Sequence, residues 1–243
     1  MAAPAFQNIG GIAADATPHA ATLNVTPPAH IADDILLLTV LVRGQTDTAS
    51  ASSTGGGTWT MMTGSPFDRS TVSRYWLFWL RATGTSETCA VSFSGTTGDA
   101  YAIIINYRGA TTSGDPWEVK GTPQTGTADP AVLTGITALS DESLIVAALA
   151  GEDRVPASIT TTGTDPANYA EHYVETAVGG DALFGISEGA QTTANATGNV
   201  SVDFSAATAG WGAQLLALIP PPPAPPSVVT RVYLTPNRVW YAR

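Results

Sequence analysis

"DDILLLTVLVRG", residues 33–44, is an almost unbroken apolar run that opens on two acids and closes on an arginine and a glycine. A run of this kind, with no polar alternation, suits a strand buried on both faces rather than one half-wetted by solvent. Residues 141–152, "DESLIVAALAGE", have the same form. The second run has helical propensity, but its Gly151 end and its likeness to 33–44 favour a strand. "DDILLLTVL" lines up with "DESLIVAAL" at an offset of 108, and "VSFSGTTGDAYAIII" (91–105) with "VDFSAATAGWGAQLL" (202–216) at an offset near 110 with one gap. The other strand signals recur in the same order in both parts of the chain. The pattern predicts a duplication: two Greek-key-like halves, about 20–110 and 130–219, closing one sandwich. Either half alone would leave one sheet face uncovered.

The rest of the 243 residues agrees with an all-β reading. Short apolar runs rich in Val, Ile, Leu and aromatics alternate with Gly, Pro, Ser and Thr punctuation. "ATLNVT" (21–26), "VSRYWLFWLRA" (72–82), "DAYAIIINYRGA" (99–110), "ANYAEHYVETAV" (167–178) and "GWGAQLLALI" (210–219) are further strand candidates, and 111–130 is read as a loop region. The expected fold is a jelly-roll-like antiparallel β-sandwich body over 1–219, followed by a proline-rich C-terminal arm. No stretch offers the ~18 apolar residues of a membrane helix, and "MAAPAFQNIGG" lacks the basic and apolar regions of a secretory signal. Cys89 is the sole cysteine and reads as a small core residue.

"RYWLFWL" (74–80) departs from half-buried alternation: Tyr75, Leu77 and Trp79 point one way, and Trp76, Phe78 and Leu80 the other. Both faces are apolar, so either this chain or a partner must cover them. Tyr75, Trp76, Phe78 and Trp79 are therefore candidate interface residues.

Chemistry-bearing motifs are missing from the sequence. His19, His30 and His172 stand apart, with no second ligand at metal-binding spacing, and are read as surface or loop residues. There is no nucleophile elbow, zinc-protease helix, phosphate loop or calcium loop. The acid pairs Asp33–Asp34, Asp141–Glu142 and Glu152–Asp153 could in principle serve a glycosidase, which needs two carboxyls ~5–9 Å apart. The first two pairs sit just before buried strands, where turn chemistry explains them better. The expectation is no catalytic residue, no metal and no cofactor. Trp59, Trp117 and Trp211 lie in or beside loops, and Trp59 and Trp117 are candidate glycan-stacking residues. That gives a rival reading, a carbohydrate-binding host-adsorption module; core or interface packing is the more ordinary fate of tryptophan.

The net charge is −10, with a single lysine, Lys120. Such a surface repels phosphates and argues against nucleic-acid binding. The charge is uneven: residues 1–226 hold 7 basic and 20 acidic groups, or −13, whereas 227–243 hold three arginines and no acid, or +3. Between them runs "PPPPAPP" (220–226), a polyproline spacer of roughly 20 Å at ~3.1 Å per residue. Residues 227–243 can form a strand or hairpin too small to be stable alone. They are read as an anchor, with Arg231, Tyr233, Arg238, Trp240, Tyr241 and Arg243 as candidate contacts.

"PPAHIADDILLLTVLVRG", "YWLFWLRATGTSETCAVSFSG" and "DAYAIIINYRGA" together resemble β-sandwich structural proteins of tailed bacteriophages and prophages. In that group a P-x5-D-x-L-L strand, a Y-W strand and an A-x4-Y-R-G strand follow one another; here they are Pro28–Leu37, Tyr75–Trp76 and Ala102–Gly109. The resemblance spans roughly 20–219 and implies a virion component, either a capsid decoration, head-fibre or tail-associated protein, assembled in the host bacterial cytoplasm. Its implied partners are other virion proteins and further copies of itself, with a trimer as the expected oligomer. It supplies no catalytic residues.

Overall fold

The computed structural model describes residues 2–44, 47–69, 72–152, 158–176, 182–204 and 210–223, with side chains for all of these but 173–176. Every regular element among them is a β-strand. The first half contains β1 (Ala5–Ile9), β2 (Ala13–Asp15), β3 (Thr22–Asn24), β4 (Ile35–Arg43), β5 (Ala49–Ser52), β6 (Thr60–Met61), β7 (Phe67–Arg69), β8 (Ser73–Arg81), β9 (Ala90–Phe93) and β10 (Ala100–Arg108). The second contains β11 (Trp117–Lys120), β12 (Gln124–Gly126), β13 (Ala131–Leu133), β14 (Ser143–Glu152), β15 (Ile159–Thr162), β16 (Ala170–Thr176), β17 (Ala182–Gln191), β18 (Val200–Phe204) and β19 (Gly210–Leu218).

The two halves have one topology. In the first, a large sheet runs β1-β10-β4-β8-β6, with β2 beside β10 and β7 beside β8, and a small sheet runs β3-β9-β5. In the second, the large sheet runs β11-β19-β14-β17-β16, with β12 beside β19, and the small sheet runs β13-β18-β15. Strand for strand these match, β16 standing where β6 and β7 stand. All pairings are antiparallel, and the order is jelly-roll-like in each half.

Details repeat as well. The first edge strand carries a register shift between Phe6 and Asn8, and its counterpart one between Trp117 and Val119. After it, Gly10 N–H donates to Ile104 O, and Gly121 N–H to Leu215 O. Asp33 and Glu142, just before β4 and β14, both adopt a left-handed conformation (φ 68° and 62°). The equivalence therefore pairs Asp33 with Glu142 and Ile35 with Leu144, 109 positions apart, not 108. One residue matters, because a slip of one turns every side chain to the other face. At the last strand of each half the spacing is 111, since Tyr107 pairs with Ile35 as Leu218 pairs with Leu144.

The expected all-β antiparallel sandwich is present, built as a stack of four sheets around three cores. Each half is a sandwich in its own right, and the two large sheets then pack on each other. The face of β4 bearing Leu36, Leu38, Val40 and Val42 meets the small sheet of its own half, in a core with Trp76, Phe78, Val91 and Ile104. The other face, with Ile35, Leu37 and Leu41, enters a central core shared with Leu144, Val146, Phe184 and Leu216 of the second half. Leu149, Leu183, Val202 and Leu215 form the third core. This is why β4, β10, β14, β17 and β19 are apolar on both sides: each lies between two cores. The uncovered face that one half would have is covered by the other.

Two segments differ from expectation. Residues 5–15 fall before the expected half-repeat of about 20–110, yet β1 and β2 pair with β10 and belong to its large sheet. Within the expected loop 111–130, β11 and β12 pair with β19 in the same way. Both pairs of strands are short edge strands, held by backbone pairing more than by an apolar pattern.

Candidate functional site

The buried polar groups come first, because a site must be built from groups not already engaged. Glu152, at the end of β14, has a fully buried side chain and faces the first half across the central core. Arg69 at the end of β7 grips it from both guanidinium positions, Nε to Oε1 at 2.9 Å and Nη2 to Oε2 at 2.6 Å. The Tyr75 hydroxyl donates to Oε1 at 2.7 Å, and the Ser73 hydroxyl donates to the same oxygen. Burial pushes the Glu152 carboxyl up, but Arg69 and the two hydroxyls outweigh it and hold the group below its ordinary range. "GWG" (210–212) makes room for this: Cβ atoms would come within 2.1 Å of Arg69 Nε at Gly210 and 2.6 Å of the Tyr75 ring at Gly212.

The other acids are similarly used. Asp34 accepts both arms of Arg108 at 2.8 Å, the Asn106 amide and the Ile31 N–H. Burial acts to raise it, and these donors together lower it. Glu87 accepts from Ser53, Gly57 and Thr83 and is likewise held low against burial. Asp141 accepts the Ala194 N–H. Asp153, the remaining member of the expected acid pairs, lies outside the described residues. Among the described residues no three His, Cys, Asp or Glu side chains gather as a metal site.

The predicted site residues divide clearly. Tyr75, Trp76 and Phe78 are at most 2% exposed and Trp79 is half-buried. Tyr75 and Trp79 face the central core and Trp76 and Phe78 the first-half core, so this chain itself covers both faces. Trp59 and Trp117 are not loop platforms: they are 7% and 3% exposed. The Trp59 indole N–H donates to Thr88 O, and Trp117 begins β11 inside the central core. Trp211 is also buried, donating to Ala128 O. Two of the three expected surface histidines are buried. His19 bonds Asp47 at 2.9 Å and Ala20 O at 2.8 Å, while His30 bridges Pro28 O and the Glu87 N–H. Cys89 is buried, and burial raises its thiol to about 12. Arg231, Tyr233, Arg238, Trp240, Tyr241 and Arg243 lie outside the described residues.

What sequence reasoning missed is a pole. Ala5 pairs with Arg108 at the end of β10, and Leu218 pairs with Leu144 at the start of β14. The segment between the halves crosses here: Thr111 N–H donates to Ile219 O, and Ile219 N–H to Pro116 O. Thus β1 begins, the halves are joined and the last strand ends at one end of the body. Pro220 is buried there, and the prolines become exposed by Pro222.

Beside that exit a cleft of about 440 Å³ opens between the halves, lined by Pro4, Ala5, Leu144, Tyr169, Glu188 and Ala190 among others. Glu188 is its buried acid, and its Oε2 has no hydrogen-bond partner. His172 Nε2 lies 3.6 Å from Glu188 Oε1 and is also unpartnered, its ring stacked on Phe6 at 3.7 Å. The Tyr107 hydroxyl, fully buried and unpartnered, feels the charge of Glu188. Burial pushes Glu188 up to about 7, with the Phe6 N–H pulling the other way; burial pushes His172 down, with Glu171 opposing. No motif announces this cluster. Its residues come from β1, β10, β16 and β17, and only packing of the two halves joins them.

No protein-family model, curated protein or solved structure matches this chain.

Proposed function

We propose that this protein is a non-enzymatic structural component of a tailed-phage virion, a surface sandwich attached to the particle through its C-terminal arm. The observation that carries the reading is the pairing of a body of charge −13 with an arm of charge +3 that leaves it behind a polyproline spacer. Three further points support it. The spacer starts from a buried proline at a pole built by both halves, a firm base for a semi-rigid rod. The interior is spent on packing, with two sandwiches burying each other's large sheets. Asp34, Glu87 and Glu152 are each held by several donors of this chain, an arrangement that serves rigidity. The partners on this reading are other virion proteins and further copies of the chain, as a trimer, with neither nucleic acid nor membrane insertion involved. Since the Tyr75–Leu80 strand is covered from within, self-association falls to the arm and to outer surfaces.

The test is removal of residues 227–243. The truncated protein should keep its thermal unfolding midpoint but fail to enter particles assembled in its presence. Normal incorporation would sink the proposal.

A further inference from the structure

We infer that the cleft between β1 and the β16–β17 pair is a receptor for one guanidinium group, and that its occupant is an arginine of this chain's own arm. The choice of occupant rests on the reading of the arm as an anchor; the chemistry of the cleft does not.

Glu188 lines the cleft and its Oε2 has no hydrogen-bond partner; His172 Nε2, 3.6 Å from Glu188 Oε1, and the Tyr107 hydroxyl are buried and unpartnered as well. Buried polar atoms are nearly always paired, so a cluster of orphans marks a missing partner. All three can accept hydrogen bonds. Arginine offers five N–H donors in a planar fork and is less strongly hydrated than an ammonium, so it enters a partly buried acid site at lower cost than lysine. The cleft walls suit its stem. Pro4, Ala5, Leu144 and Ala190 are apolar surfaces against which three methylenes can lie while the head reaches the carboxyl. About 440 Å³ is ample for one side chain.

The arm can supply such a group, whereas Arg108, which pairs with Ala5 of the cleft wall, is already held by Asp34. Ala190 pairs with Leu144, and Leu144 with Leu218, so the cleft wall stands two strands from the strand that the arm leaves. At the usual strand spacing that is ~10 Å. Arg231, eleven positions beyond Pro220, has an extended reach of up to ~35 Å, and Arg238 and Arg243 reach farther. Arg231, Arg238 and Arg243 are the arm's charged side chains, with no acid among them to compete for a guanidinium. The other groups facing Glu188 supply no ready cation. Burial disfavours the charged form of His172, the Tyr107 phenol is neutral, and Glu171 beside His172 adds negative charge. A bound guanidinium would convert Glu188 from a carboxyl that holds its proton near neutrality into an ionised partner, so docking releases a proton.

That release gives the test. In the full-length protein, the Glu188 carboxyl carbon is followed by ¹³C NMR across pH 4–9 and assigned with Glu188→Gln. With the arm docked, its midpoint should lie at or below the ordinary 4.5. In the Arg231→Gln/Arg238→Gln/Arg243→Gln variant, whose changes fall outside the body, it should rise to about 7. Adding N-acetylarginine amide to that variant should bring it down again, and the lysine analogue should do so less. A midpoint near 7 in the full chain, or one indifferent to the three substitutions, overturns the inference. Single arginine reversions identify the occupant, and light scattering on the same samples shows whether it comes from the same copy or a neighbour. The two readings fail separately: an arm that docks elsewhere leaves the midpoint unmoved while truncation still blocks incorporation, whereas normal incorporation of the truncated protein sinks the proposed function alone.

Discussion

Replacing Arg69 by Met tests whether the far pole of the seam is held as the geometry implies. Arg69 comes from the first half and Glu152 from the second, and the two are joined by two charge-assisted bonds of 2.9 and 2.6 Å. Bonds to charged groups contribute ~1.5–3 kcal/mol each, and a buried carboxylate stripped of its cation costs ~3–5 kcal/mol. Met keeps most of the stem's packing, so the expected loss is about 3–5 kcal/mol at pH 8 in urea unfolding. Glu152→Gln, which keeps an acceptor for Ser73 and Tyr75, should cost less alone. Combined with Arg69→Met it should restore part of the loss, a coupling of about 2 kcal/mol or more. The pH dependence should change too. In the parent, Glu152 lies below its unfolded value near 4.5, so its contribution is present above that pH and fades as pH falls through the folded value. Without Arg69, desolvation is opposed only by two hydroxyls, the folded value rises, and stability should improve on going from pH 8 toward pH 5. A cost under 1 kcal/mol, or coupling near zero, would refute the view that this pair joins the halves.

Other predictions follow from single contacts. Gly212→Val drives a side chain into the Tyr75 ring, where even a Cβ would sit at 2.6 Å, and should cost at least ~1–3 kcal/mol by thermal melting; Gly84→Ala, with nothing within 4 Å of its Cβ, is the control and should stay within ~0.5 kcal/mol. Cys89 is 3% exposed with its thiol raised to about 12, so a disulfide reagent at pH 8 should label the native protein orders of magnitude more slowly than the urea-unfolded chain. Asp34→Asn removes the acceptor of a two-armed Arg108 grip and should cost ~1–3 kcal/mol at pH 7, with the difference from the parent shrinking as pH falls below the ordinary carboxylate range, since Asp34 is held low in the fold.

Much of the body is legible along the chain. Tyr75, Leu77 and Trp79 do face one core and Trp76, Phe78 and Leu80 another, because strand geometry sends alternate side chains to opposite faces whatever lies there. The likeness of 33–44 to 141–152 is likewise real at the level of topology, with every strand of one half answered in the other. Local pattern cannot say what covers a face. The doubly apolar runs allowed one sandwich, an oligomer contact or a stack, and the stack follows from which large sheet meets which, a matter of contacts more than a hundred residues apart. The offset of 108 was a letter match; hydrogen-bond register and facing make it 109.

The aromatic and polar residues divide the same way. Trp59 and Trp117 sit among Gly, Thr and Pro, which reads as loop, yet a single backbone carbonyl for one indole and a core wall for the other draw both inside. Arg69 and Glu152 are 83 residues apart, and Phe6 and His172 farther still. Composition and periodicity establish the long strands, their two-faced character, the likeness of the two halves and the charge of the arm, since these depend on neighbours in sequence. The seam, the salt bridge across it and the cleft beside the arm depend on two folded halves meeting, and no local pattern encodes that meeting.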